Sequence, residues 1–133
     1  MPQSVAIAAT LAASALAQGH VVAAPVYQLR IYALYPHSKA AFHDRFRDHA
    51  ARIMRRHGFE IVSMWEAGTP EKPEFAYLGR WPDETRRKAG WAAFMADEEW
   101  ARIKRETPEA HRPIVGAIQD RTMRLTDYSP PMK

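Results

Sequence analysis

Six histidines and no cysteine limit the chemistry this sequence can offer. Thiolate nucleophiles, disulfides and cysteine-based zinc sites are excluded, which leaves imidazole as the group that titrates near neutrality. His49 lies in the stretch AFHDRFRDHAARIMRRHG, residues 41–58. At about 100° per residue, Phe42, Phe46, His49 and Ile53 fall within an arc of roughly 60°, the helix face expected to meet a core. An imidazole on such a face is either a core side chain satisfied locally or a pocket-lining group that binds a ligand or takes a proton.

Other chemistries find less support. His37, His43 and His49 are spaced by six, which rotates successive side chains about 240° around a helix and scatters them, and no metal-binding motif occurs, so no metal is expected. No G-x-S-x-G surrounds any serine, and Ser63 has no base nearby in sequence. A glycine-rich phosphate loop is missing, so no dinucleotide or other organic cofactor is expected. EFAYLGRW, residues 74–81, does not meet the octamer of an RNA-recognition strand, so no nucleic acid is expected as partner.

The elements that must position His49 are readable from periodicity. VYQLRIYAL (26–34) alternates as a strand, a helix follows from Ser38 as cap to about His57, and Gly58 supplies the left-handed stop. FEIVSMWEA (59–67) and FAYLGRW (75–81) read as a hairpin, and Pro82 and Asp83 open a second helix with Trp91, Phe94 and Met95 on its apolar side. Asp97 caps a short third helix, and AIQDRTMRLT (117–126) is the last strand. The order β-α-β-β-α-(α)-β predicts an α+β fold, the ferredoxin-like split βαβ with a four-stranded antiparallel sheet.

With 133 residues, 47% of them apolar, the chain suits a single domain over residues 26–128 with a short tail at 129–133. Its 19 basic and 15 acidic residues are well mixed, so the net charge of +4 is a mild bias. Residues 1–25 contain no Lys, Arg, Asp or Glu. SVAIAATLAASALA has the length of a signal-peptide core and is too short to span a bilayer, and Ala15, Leu16 and Ala17 give a small-x-small pattern before Gln18. Cleavage there predicts a periplasmic or secreted chain without an integral membrane segment; an uncleaved leader predicts a cytoplasmic one.

Both phases of the strands carry bulky groups. Tyr27, Leu29, Ile31, Phe59, Ile61, Trp65, Phe75 and Tyr77 are assigned to one face, and Tyr32, Val62, Met64 and Leu78 to the other. Helices cover one face, so the second needs a cover, and a partner sheet would supply it. Gln28, Arg30, Tyr32, Arg80 and Arg124 are then expected on the phase that meets this partner or lines its rim.

The opening Tyr27-x-Leu29-Arg30-x-Tyr32, the helix end His57-Gly58, the strand end Arg80-Trp81 and the cap Asp97-x-x-Trp100 together resemble the NIPSNAP family from Tyr27 to Pro130. The resemblance implies a dimeric α+β barrel, hence a homodimer, and little about reaction. Gln28 departs from the family pattern, where an acidic residue is common.

What remains is a pocket between the first helix and the sheet, with His49, Tyr27, Trp65 and Tyr77 as lining and Arg30 or Arg80 as anchor; Tyr32 completes the set of binding residues. Aromatic walls with few polar groups suit a small hydrophobic or aromatic ligand. The alternative is a cofactor-independent oxygenase or isomerase, with His49 as base and Arg30 or a tyrosine hydroxyl at the developing oxyanion of an aromatic or phenolic substrate. A third reading is a dimeric scaffold whose surface is its function.

Overall fold

The computed structural model describes residues 24–132, so the leader up to residue 23 and its cleavage pattern lie outside the described residues. Val26–Leu34 forms β1 within the expected bounds. Glu60–Gly68 (β2) and Pro73–Trp81 (β3) form the hairpin, and Val115–Met123 is β4. Antiparallel pairing gives the sheet order β2-β3-β1-β4, with β1 between β3 and β4.

The first helix is Lys39–Arg45 (α1), a π-helical turn at Phe46–Ala50, and Ala51–Arg56 (α2). Gly58, at φ +89°, ends it as expected. Ser38 precedes α1 but makes no cap through its side chain. Fully buried, it instead donates from Oγ to the Ile114 carbonyl at 2.8 Å and so ties the helix start to the approach of β4.

Glu84–Met95 (α3) and Glu98–Arg105 (α4) carry the expected caps, Asp83 accepting from the Arg86 amide and Asp97 from the Trp100 amide. Gly90 lets α3 approach the sheet, because a Cβ there would lie 2.4 Å from the Trp81 ring. No described helix is long and apolar enough to cross a membrane.

Register decides the faces. Arg30 pairs with Tyr77 and Asp120, and Tyr32 with Phe75 and Ile118. This phase lies under the helices, where Tyr32, Phe42, Phe46, Phe75 and Tyr77 share one aromatic core, with Phe46 and Phe75 centroids 4.7 Å apart. Burial of each such ring contributes about 1.5–3 kcal/mol.

The expected phases are therefore corrected. Gln28, Arg30 and Tyr32 face the helices rather than a partner, together with Phe59, Ile61, Phe75 and Tyr77, while Tyr27, Leu29, Ile31 and Trp65 take the open face. Arg80, across from Tyr27, stays on that open face, and Arg124 lies just beyond β4. Alternation sets a period of two but not which phase is inside when both are bulky. In β2 a bulge between Ile61 and Ser63 also flips the phase, so Ile61 and Met64 share a face although three residues apart.

Candidate functional site

β1 places Gln28, Arg30 and Tyr32 in one row beneath the helices. Gln28 is fully buried; its Oε1 accepts from the indole N–H groups of Trp81 at 3.1 Å and Trp91 at 2.8 Å. Its Nε2 donates to both Asp120 carboxylate oxygens, at 3.1 and 2.9 Å. Asp120 also receives Arg30 Nη1 at 2.7 Å, and the Arg30 guanidinium lies 4.3 Å from the Trp91 ring centroid. Trp91 returns to Gln28, so the network closes on itself and fixes the arginine from two sides.

Arg30 Nε donates to the Tyr32 hydroxyl at 3.0 Å. Burial opposes the charge of Arg30, but the Tyr32, Tyr77 and Asp120 oxygens outweigh it and hold its pKa above the ordinary value. Burial pushes the Tyr32 hydroxyl up and the Tyr77 hydroxyl well up. Both phenols are therefore neutral at physiological pH. The Tyr77 hydroxyl is buried without a hydrogen bond.

Above this row lies a pocket of about 200 Å³, partly open to solvent, with the exposed Met95, Lys104 and Ile118 in its wall. Arg30 and Tyr32 form its sheet side; Phe42, Phe46, Ala50 and Met54 of the first helix close another. Trp91, Phe94 and Met95 of α3, Trp100 and Lys104 of α4, and Val115 and Ile118 of β4 complete it, with Arg45 at the helix junction. Two larger depressions, of about 520 and 510 Å³, are surface grooves flanking the first helix.

Of the residues expected from sequence, Arg30 and Tyr32 line this cavity, and Tyr77 lies beside Tyr32 with ring centroids 6.2 Å apart. Tyr27 and Arg80 are on the opposite sheet face, Arg80 paired with Glu60, and Trp65 on β2 lines the groove of about 520 Å³ beside the first helix with Phe46 and Phe75 rather than the pocket of Arg30. His49 is outside the cavity, half-buried in the groove between the first helix and α4 with Asp48, Glu99, Arg102 and His111. The π turn is the cause: its wider winding delays His49 around the axis and puts Ala50, 2% exposed, into the stripe that follows Phe46.

Sequence reasoning missed Asp120, Trp81, Trp91, Arg45 and Lys104 as members of the site. A signal existed for some of them, since a long amide and an arginine on one phase of a central strand require buried polar partners. Among the described residues no group of three or more His, Asp or Glu could hold a metal ion.

The NIPSNAP family profile matches residues 27–130. No curated protein matches the chain. A NIPSNAP-like domain protein from Burkholderia xenovorans superposes with a TM-score of 0.67 at 20% identity, covering 82% of this chain and 91% of that one. A NIPSNAP family protein of unknown function from Agrobacterium tumefaciens gives 0.67 at 21% identity, over 82% and 95%. SnoaB, a cofactor-independent oxygenase from Streptomyces nogalater, gives 0.51 at 14% identity, over 82% and 100%. At these identities the solved structures share the α+β barrel fold, and with the profile spanning nearly all described residues, the chain belongs to the NIPSNAP family.

Proposed function

We propose that this protein binds a small aromatic or otherwise hydrophobic molecule in the cavity between β1, the first helix and α3–α4. The observation that carries the reading is a mostly apolar pocket of about 200 Å³, walled by aromatic rings of the core and partly open to solvent. A concave, mostly apolar pocket with a few polar groups in its wall is the kind of site that small molecules occupy. An apolar cavity of about 150 Å³ already holds benzene, so the volume suits a one- or two-ring compound.

Ala50 presents its methyl group to the cavity, which gives a direct test. Thermal unfolding measured against a panel of aromatic compounds should show a rise in Tm for the wild type and none for Ala50→Leu, whose side chain occupies the space. His49→Ala should respond like the wild type. A panel without any shift in the wild type would remove the proposal.

A second reading, a cofactor-independent oxygenase or isomerase, draws support from the fold shared with SnoaB. It needs a proton acceptor at the bound ligand. Among the described residues the cavity wall offers the Tyr32 hydroxyl but no carboxylate or imidazole, which favours binding over proton abstraction. Oxygen consumption or isomerisation of a phenolic compound, lost in Tyr32→Phe, would reverse that preference.

We also propose a homodimer, with a second copy covering the open sheet face. The partly exposed Leu29, Ile31 and Leu78 lie there, and Trp65 at its edge is 49% exposed. Under this reading the dimer is the scaffold and the helix-side cavity is the site.

A further inference from the structure

We propose that the ligand of this cavity is an anion, a small aryl carboxylate whose ring fills the apolar space and whose carboxylate lies between Arg45 and Lys104. The inference rests on the cavity being a binding site, as argued above, and adds the charge and the orientation of what it holds.

Three cations line the cavity, Arg30, Arg45 and Lys104, and no carboxylate does among the described residues. Arg30 is already balanced: Asp120 takes its Nη1 at 2.7 Å, so an anion brought to it would also approach that carboxylate. Arg45 differs. Its hydrogen bond is to the neutral Thr107 Oγ1 at 3.4 Å, and it forms no ion pair with the described residues. It is half-buried, and this burial pushes its guanidinium pKa down, opposed by the nearby Tyr32 oxygen.

Lys104 is exposed and lines the same pocket. Arg45 and Lys104 both lie over the Trp100 ring, at 5.1 and 5.7 Å from its centroid. One indole ring compensates a cation only partly, and two like charges drawn to one ring repel. A half-buried cation without a counter-charge is costly, whereas the same cation paired with a carboxylate gains a charge-assisted hydrogen bond. A carboxylate placed between the two satisfies both, and the apolar wall of Phe42, Phe94 and Trp100 then takes the ring.

Phenylacetate and phenylacetamide have nearly the same shape and differ in charge, and Trp91 and Trp100 in the cavity wall report their binding by fluorescence. The expected result at neutral pH is a preference for phenylacetate of about tenfold or more, the scale of one charge-assisted hydrogen bond. In Arg45→Gln that ratio should collapse toward one, and Lys104→Gln, at an exposed position, should reduce it in the same direction. Equal affinity for the two compounds in the wild type, or a preference that survives both substitutions, overturns the anion inference and leaves the apolar site standing. Failure of both compounds to bind overturns the two together.

Discussion

Indole N–H groups can only donate, and a carboxylate at neutral pH can only accept, so the neighbours of Gln28 dictate how its amide is oriented. Oε1 must face Trp81 and Trp91, and Nε2 must face Asp120, as the distances of 2.8–3.1 Å have it. Gln28→Glu retains the two indole bonds but sets a second carboxylate against Asp120. At neutral pH this should cost about 3 kcal/mol, through the lost donor and the like charges. The introduced carboxyl would have a folded pKa above the ordinary value of about 4.3. Its folded form then holds a proton that the unfolded chain releases, so the loss of stability is smallest at acid pH and grows as pH rises through the raised pKa. Urea unfolding at about pH 4 and about pH 7 checks it; an equal loss at both pH values would mean that the amide does not face Asp120.

At the scale of elements, the caps of α3 and α4 and the turn glycine were legible because their chemistry is local, whereas the expected cap Ser38 is drawn away by the Ile114 carbonyl. Asp83, Asp97 and Gly58 act where the sequence put them, and β1 spans its expected residues. The candidate site was half legible: Arg30 and Tyr32 line the cavity, but His49 does not, because a π turn breaks the regular winding from which its position was inferred. Neither that turn nor the bulge in β2 leaves a mark on hydrophobic periodicity, since both depend on tertiary packing. Asp97 shows what a local motif gains from such packing. Beyond capping α4, its carboxylate meets His57 Nε2 at 2.8 Å and Arg56 Nη2 at 2.7 Å, joining the end of α2 to α4. His57 first, then Arg56 and the Trp100 amide, hold its carboxyl well below the usual range. The stability this contributes is present above the unfolded pKa of about 3.9 and is lost as pH falls toward the lower folded value. Asp97→Ala should lower Tm by about 5 °C at neutral pH, with the gap to wild type narrowing toward pH 2. A gap constant across that range would show that the charge of the Asp97 carboxylate contributes nothing to the effect.

For the whole molecule the sheet has two unlike sides, and the described helices cover only one of them; on the other, Tyr27 is buried at 6% exposure while Leu29 and Ile31, which follow it on that face of β1, are not. The helices seal Gln28, Arg30 and Tyr32, whereas Leu29, Ile31 and Leu78 remain partly exposed on the opposite side, with Met123 at 38% exposure on β4. β1 is flanked by β3 and β4, so Ile31 lies near the middle of the open side, where a facing copy would bury it most completely. Ile31→Glu would place two carboxylates at the centre of a symmetric contact, and an unpaired buried charge costs several kcal/mol. Light scattering should give twice the chain mass for the wild type at micromolar concentration and the single-chain mass for Ile31→Glu. The wild-type Tm should rise with protein concentration, as association requires, and that of the variant should not. The cavity lies on the other side of the sheet, so phenylacetate binding should persist in the single chain. Loss of binding on dissociation would show that the second copy completes the site, and a wild type that is monomeric throughout would leave the open sheet face to another partner.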